Sequence, residues 1–91
     1  MTEVVWSDEA FDQLDEIIAY IEQFDSIAAA DMGVRLRALA DSLHTSPNRG
    51  RPASNDAREL VTVRPYIMRY SVHGDRVLIR NVRHSRRRPQ G

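Results

Sequence analysis

Apolar residues change their spacing along this chain, and each change marks an element. Val4, Val5 and Trp6 form a short β-like run that Ser7-Asp8-Glu9 cuts off. Ser7 is suited to cap a helix, Asp8 and Glu9 suit the positive end of its dipole, and Trp6 with Phe11 has the spacing of a hydrophobic staple. Phe11, Leu14, Ile17, Ile18 and Ile21 then share one stripe of a 3.6-residue repeat, which predicts a helix over about residues 8–24. Asp8, Asp12, Asp15, Glu16 and Glu22 fall outside that stripe, so they read as a solvated face and not as a catalytic carboxylate cluster. Asp25-Ser26 offers a second cap, and Met32, Leu36, Leu39 and Leu43 predict a second helix over about residues 27–44. So short a connection makes an antiparallel hairpin. Gly33 costs a helix interior ~1 kcal/mol relative to alanine, which marks a close approach that Ala28, Ala29 and Ala30 would also serve.

Between about residues 45 and 57 the composition turns to Ser, Pro, Asn and Gly, and Pro47, Gly50 and Pro52 rule out a continuous helix or central strand. This is a loop carrying Arg49 and Arg51. Strand-like runs follow at about residues 58–64, 66–73 and 76–83, with Pro65 between the first two and a Gly74-Asp75 hairpin turn between the last two. In the middle run Tyr66, Met68, Tyr70 and Val72 alternate with Ile67, Arg69, Ser71 and His73, giving one face for the helices and one more polar. The expected fold is α+β: a short N-terminal strand, an antiparallel helical hairpin and a small, mainly antiparallel sheet, in the order β-α-α-β-β-β. Residues 1–91 make one domain, and 85–91 should be a flexible basic tail because nothing apolar anchors it.

Charge divides this domain in two. Residues 1–45 hold ten acids against Arg35 and Arg37, a net of −8, whereas residues 46–91 hold eleven arginines against Asp56, Glu59 and Asp75, a net of +8. The formal total of zero hides a basic half suited to nucleic acid or an acidic protein. All thirteen basic residues are arginine, which clamps phosphate and carboxylate but does not transfer protons, and lysine chemistry is excluded. The absence of cysteine excludes disulfides, thiolate metal sites and thiol nucleophiles. His44, His73 and His84 have no metal-ligand spacing, so neither a metal nor a cofactor is expected. With no signal region and no run near the ~18 apolar residues of a membrane span, a cytoplasmic location is expected and no membrane partner.

The order of the pieces resembles the RelE/ParE superfamily of toxins from bacterial type II toxin-antitoxin modules. The resemblance covers nearly the whole chain: a strand ending in Trp6-Ser7; Ala10, Leu14, Ile17, Ile18, Tyr20 and Ile21; then Leu36, Leu39 and Leu43. It continues through Pro47, Gly50-Arg51, Arg58-Glu59-Leu60, Tyr66, Tyr70, Val82-Arg83-His84 and Arg87. It implies a helical hairpin on a small antiparallel sheet, in agreement with the pattern above. Two activities are implied: RelE-like members are ribosome-dependent mRNA endonucleases, and ParE-like members inhibit DNA gyrase without cutting anything themselves.

Metal-free RNA cleavage needs a base, an acid and cations at the phosphate. On that reading Glu59 and His84 are the proton-transfer candidates, and Arg58, Arg69 and Arg80 clamp phosphate. Against it, the lysines that RelE-like nucleases often use are missing, Ser85 stands where some relatives carry a tyrosine, and Ile67 aligns where an arginine is expected. The Gly50-Arg51 loop and Arg58-Glu59-Leu60 are more ParE-like. The balance favours a gyrase inhibitor with no catalytic residue, whose target-binding set is Arg80, Arg83, His84 and Arg87. A degenerate module acting only in operon autoregulation is the third reading. His84 at a strand end serves equally well as a hydrogen-bond partner for its neighbours.

The resemblance also implies a cognate antitoxin that wraps the toxin, with Arg51, Arg58, Arg69 and Tyr70 as its expected contacts and operator DNA reached only through it. An acidic, disordered segment would be steered to the basic half and fold on contact.

Overall fold

The computed structural model describes residues 2–86, and these fold into two helices packed on one face of a five-stranded sheet. Strand β1 (Glu3–Trp6) leads into α1 (Asp8–Glu22), α2 (Ser26–Asp41) and a 3₁₀ turn (Ser42–His44). Strands β2 (Arg51–Pro52), β3 (Ala57–Leu60), β4 (Tyr66–His73) and β5 (Arg76–His84) follow. The order across the sheet is β1-β5-β4-β3-β2, with β1 parallel to β5 and the other neighbours antiparallel.

Both predicted caps form. The Ser7 hydroxyl oxygen accepts from Ala10 N–H at 3.1 Å while donating to the Arg80 carbonyl at 2.9 Å, so one side chain starts α1 and ties it to β5. Asp25 Oδ1 accepts from the N–H groups of Ile27 and Ala28, both at 3.0 Å, and starts α2. The hairpin turn also forms: Gly74 has φ 62° and His73 pairs with Arg76 across it. The close approach at Gly33 is to α1, where an added Cβ would stand 3.0 Å from Ile18 Cδ1.

Four expectations need correction. The second helix ends at Asp41 and tightens into the 3₁₀ turn, a common ending where the last carbonyls lack α-helical partners. The strand expected over 58–64 stops at Leu60, where its pairing with β4 ends at Met68 and the chain turns back toward β4. An unforeseen edge strand, β2, lies inside the predicted loop; Asn55 (φ 59°) and Asp56 (φ 57°) make the β2–β3 turn with both central residues left-handed. Finally, Phe11 is 53% exposed, because the fully buried Ala10 turns that side of α1 inward and lets the helix approach closely.

The core lies between the hairpin and the inner sheet face. Leu14, Leu36, Leu39, Ala40 and Leu43 pack with Leu60, Met68, Tyr70, Val77, Ile79 and Val82. Strand β1 covers only residues 76–79 of β5, and beyond them Gln13 of α1 seals the edge by accepting the Val82 N–H at 2.7 Å. Gln13→Ala is expected to cost about 1 kcal/mol and to speed exchange of the Val82 amide selectively, measurable by hydrogen-exchange NMR.

Candidate functional site

Alternation along the strands sorts the arginines onto two faces. Register pairs Glu59 with Arg51 on one side and with Arg69 on the other, and Arg69 with Asn81. These residues lie on the outer face, away from the helices. Tyr70 opposes Arg58 and Tyr66 opposes His84, so Arg58 and His84 belong to the inner face with the core. A β-bulge decides the far end of β5: Arg69 pairs with Asn81 while Tyr70 pairs with Ile79, which leaves Arg80 as the extra residue. The bulge reverses the phase beyond it. Val82 enters the core, Arg83 turns outward and His84 turns inward.

On the outer face Glu59 is the hub. Its Oε1 pairs with Arg51 Nη2 at 3.2 Å and its Oε2 with Arg83 Nη2 at 3.5 Å, tying the edge strand β2 to β5. Arg69, 4% exposed, lies beneath the β2–β3 turn and donates to the Ser54 carbonyl at 2.7 Å and to its hydroxyl at 3.1 Å. Arg80 lines a shallow hollow with Asn55, Asp56, Ser71 and His73, where the Ser71 hydroxyl meets His73 Nε2 at 2.9 Å. The polar face predicted for β4 is thus largely covered.

The inner face holds the loop. Arg58 Nη1 donates to the carbonyls of Asn48 at 3.2 Å and Gly50 at 2.7 Å, and the Tyr70 hydroxyl accepts the Gly50 N–H at 2.9 Å. Tyr70 is 0% exposed and Arg69 nearly so; neither presents a surface side chain to a partner, whereas Arg51 does. At the strand end His84 stacks edge-on against Tyr66 at 5.8 Å, and its Nδ1 accepts the Arg86 N–H at 3.1 Å. Burial, with nearby Tyr20 adding to it, pushes the Tyr66 hydroxyl above its ordinary pKa. Arg87 lies outside the described residues, as does most of the predicted tail.

Of the five nuclease candidates, the fold brings Glu59, Arg69 and Arg80 to one face and sets Arg58 and His84 on the other. Sequence reasoning placed Gly50 in the loop but not against Tyr70, and missed Gln13, Ser54 and Asn81, whose roles depend on distant partners; Asn55-Asp56 offered the one local signal, as a turn pair. Asn81 Oδ1 is buried with no hydrogen-bond partner among the described residues.

Residues 4–89 match the family model described as the ParE toxin of the type II toxin-antitoxin system parDE. The chain belongs to this family. It is 46% identical over 87 residues to Toxin RelE2 of Caulobacter vibrioides, covering 96% of this chain and 99% of that one. It is also 42% identical over 72 residues to putative toxin Y4kP of Sinorhizobium fredii, covering 77% and 75%. A structure of the chromosomal ParDE system from P. aeruginosa shares the fold, with a TM-score of 0.83 at 21% identity over 92% of this chain and 96% of that one. The α+β architecture expected from the residues is therefore that of a ParE/RelE toxin. A toxin of this kind has a cognate antitoxin as its partner. Among the described residues no helix is long and apolar enough to cross a membrane.

Proposed function

We propose that this toxin is a ParE-like inhibitor of DNA gyrase, acting in the cytoplasm, that blocks replication by trapping cleaved DNA and is held in check by its antitoxin. The observation that supports this reading is the separation of Glu59 from His84. A general base and a general acid must both reach the same phosphate, and here they occupy opposite faces of a sheet. Glu59 is further engaged by Arg51 and Arg83, and His84 Nδ1 by the Arg86 amide. A toxin that works by binding needs no such pair. Arg80, Arg83 and His84 at the end of β5, with Arg87 beyond, form the proposed gyrase-binding set. Arg51, the loop that Arg58 and Tyr70 hold in place and the β2–β3 turn that Arg69 holds from beneath form the proposed antitoxin surface.

The name of the RelE2 relative favours a second reading, ribosome-dependent mRNA cleavage. A supercoiling and cleavage assay with purified gyrase and plasmid DNA separates the two. Titrating the antitoxin-free toxin should abolish supercoiling and accumulate linear DNA. Unchanged gyrase, with transcripts cut only in the presence of ribosomes, would overturn the proposal.

A further inference from the structure

Opposite charges share one hollow of the outer face without pairing. The hollow measures about 610 Å³, and its walls are Asn55 and Asp56 of the β2–β3 turn, Ser71 and His73 of β4, and Leu78 and Arg80 of β5. That volume is in the range of small-molecule sites. Arg80 makes no side-chain hydrogen bond or ion pair among the described residues, and Asp56 makes no ion pair there. The backbone holds the two apart. Asp56 is fixed in the turn at φ 57°, and Arg80 is fixed by the bulge in β5. Strand β4 lies between β3 and β5, so the two sides of the hollow stand two strand spacings apart, about 10 Å.

We infer that this hollow binds a guanine nucleotide. Its ligand must meet a cation at one end and a carboxylate at the other. A free amino acid is too short, because its ammonium and carboxylate groups are neighbours. A nucleotide carries its phosphate at one end and the hydrogen-bonding edge of its base at the other, at a comparable separation. Among the common bases only guanine presents two adjacent N–H donors on that edge, N1 and the 2-amino group, which match the two oxygens of a carboxylate. Asp56 therefore takes the base edge, and the Asn55 amide beside it is a donor for the guanine O6. Arg80 takes the phosphate through a charge-assisted pair. Leu78 gives the sugar and ring an apolar floor, and His73, tied to the Ser71 hydroxyl at 2.9 Å, meets a ribose or phosphate oxygen. A free nucleotide and a guanosine within single-stranded nucleic acid present these same groups. The site does not depend on which target the toxin poisons.

Titrating the isotope-labelled, full-length, antitoxin-free toxin with GMP, followed by its amide shifts in NMR, tests this site. Shifts are expected together at the residues of the hollow, and GMP should bind about tenfold or more tightly than AMP, which lacks the N1 donor. Asp56→Asn, whose side chain suits the same left-handed turn, should erase the preference for GMP over AMP and keep the advantage of GMP over guanosine. Arg80→Gln should erase that advantage and keep the preference. Each loss falls on a different part of the ligand, a pattern that damage to the fold does not produce. A guanine-containing single-stranded oligonucleotide that binds more tightly than GMP assigns the site to nucleic acid, and the reverse order assigns it to the free nucleotide. No shift at the hollow, equal binding of GMP and AMP, inorganic phosphate bound as tightly as GMP, or a guanine preference that survives Asp56→Asn would each overturn the inference.

Discussion

Replacing Gly50 with alanine is expected to destabilise the protein by about 3 kcal/mol. An added Cβ would stand 2.7 Å from the Tyr70 hydroxyl, 2.8 Å from Tyr70 Cε1 and 3.0 Å from the Glu59 carbonyl. Two of those neighbours belong to a fully buried ring and the third to strand backbone, so none is a flexible end that can swing away. The loop must lift instead. Lifting it breaks the Gly50 N–H contact to Tyr70 and the Arg58 contact to the Gly50 carbonyl, and exposes the top of the core. Tyr70→Phe, which removes only the acceptor and leaves a buried N–H unpaired, should cost less, about 1–2 kcal/mol. Urea denaturation of both variants checks the order. An alanine variant as stable as the parent would mean that the loop does not rest on Tyr70, and the hold of Arg58 on the Gly50 carbonyl would lose its support.

The helix starts were legible because caps act locally: Ser7 and Asp25 need only the next three residues to satisfy backbone donors. The Gly74 turn was legible for the same reason. Strand order was not, since β1 pairs with a strand seventy-odd residues away in sequence, and no local pattern carries that information. Faces were legible only up to Ile79. Strict alternation from Arg76 puts Arg80, Val82 and His84 together on the outer face, next to Glu59, which is the arrangement a nuclease would need. The bulge at Arg80 reverses that phase. Its physical cause is visible afterwards: Val82 is needed in the core, and the Ser7 hydroxyl and Gln13 amide supply the hydrogen bonds that secure the edge around the irregular strand. Arg58 and Glu59 part company by ordinary alternation, and Glu59 pairs with Arg51 and Arg83 on its own face.

Ending the chain at His84 is expected to abolish toxicity while leaving antitoxin capture nearly intact. The deletion removes Arg86, Arg87 and Arg88, and losing three charges from one contact surface should weaken target inhibition on the order of a hundredfold or more. It leaves Glu59, Arg51, Arg58 and Gly50 untouched, so the proposed antitoxin surface survives. Two substitutions then separate a positioning role for His84 from a catalytic one. The first residues beyond β5 are held by the Ser85 N–H on the Pro65 carbonyl at 2.8 Å and by the Arg86 N–H on His84 Nδ1. His84→Ala removes the second anchor and should reduce inhibition. His84→Asn presents a side-chain oxygen at nearly the position of Nδ1 and should restore most of it. Neither substituent can carry a proton at neutral pH, so an imidazole that serves as acid or base would be lost equally in both. Growth arrest on induction, together with the gyrase assay on purified variants, reads the outcome. Recovery by asparagine alone supports a binding surface built on the end of β5. Equal loss in alanine and asparagine, with ribosome-dependent cleavage in the parent, would return His84 to proton transfer and the toxin to the nuclease branch.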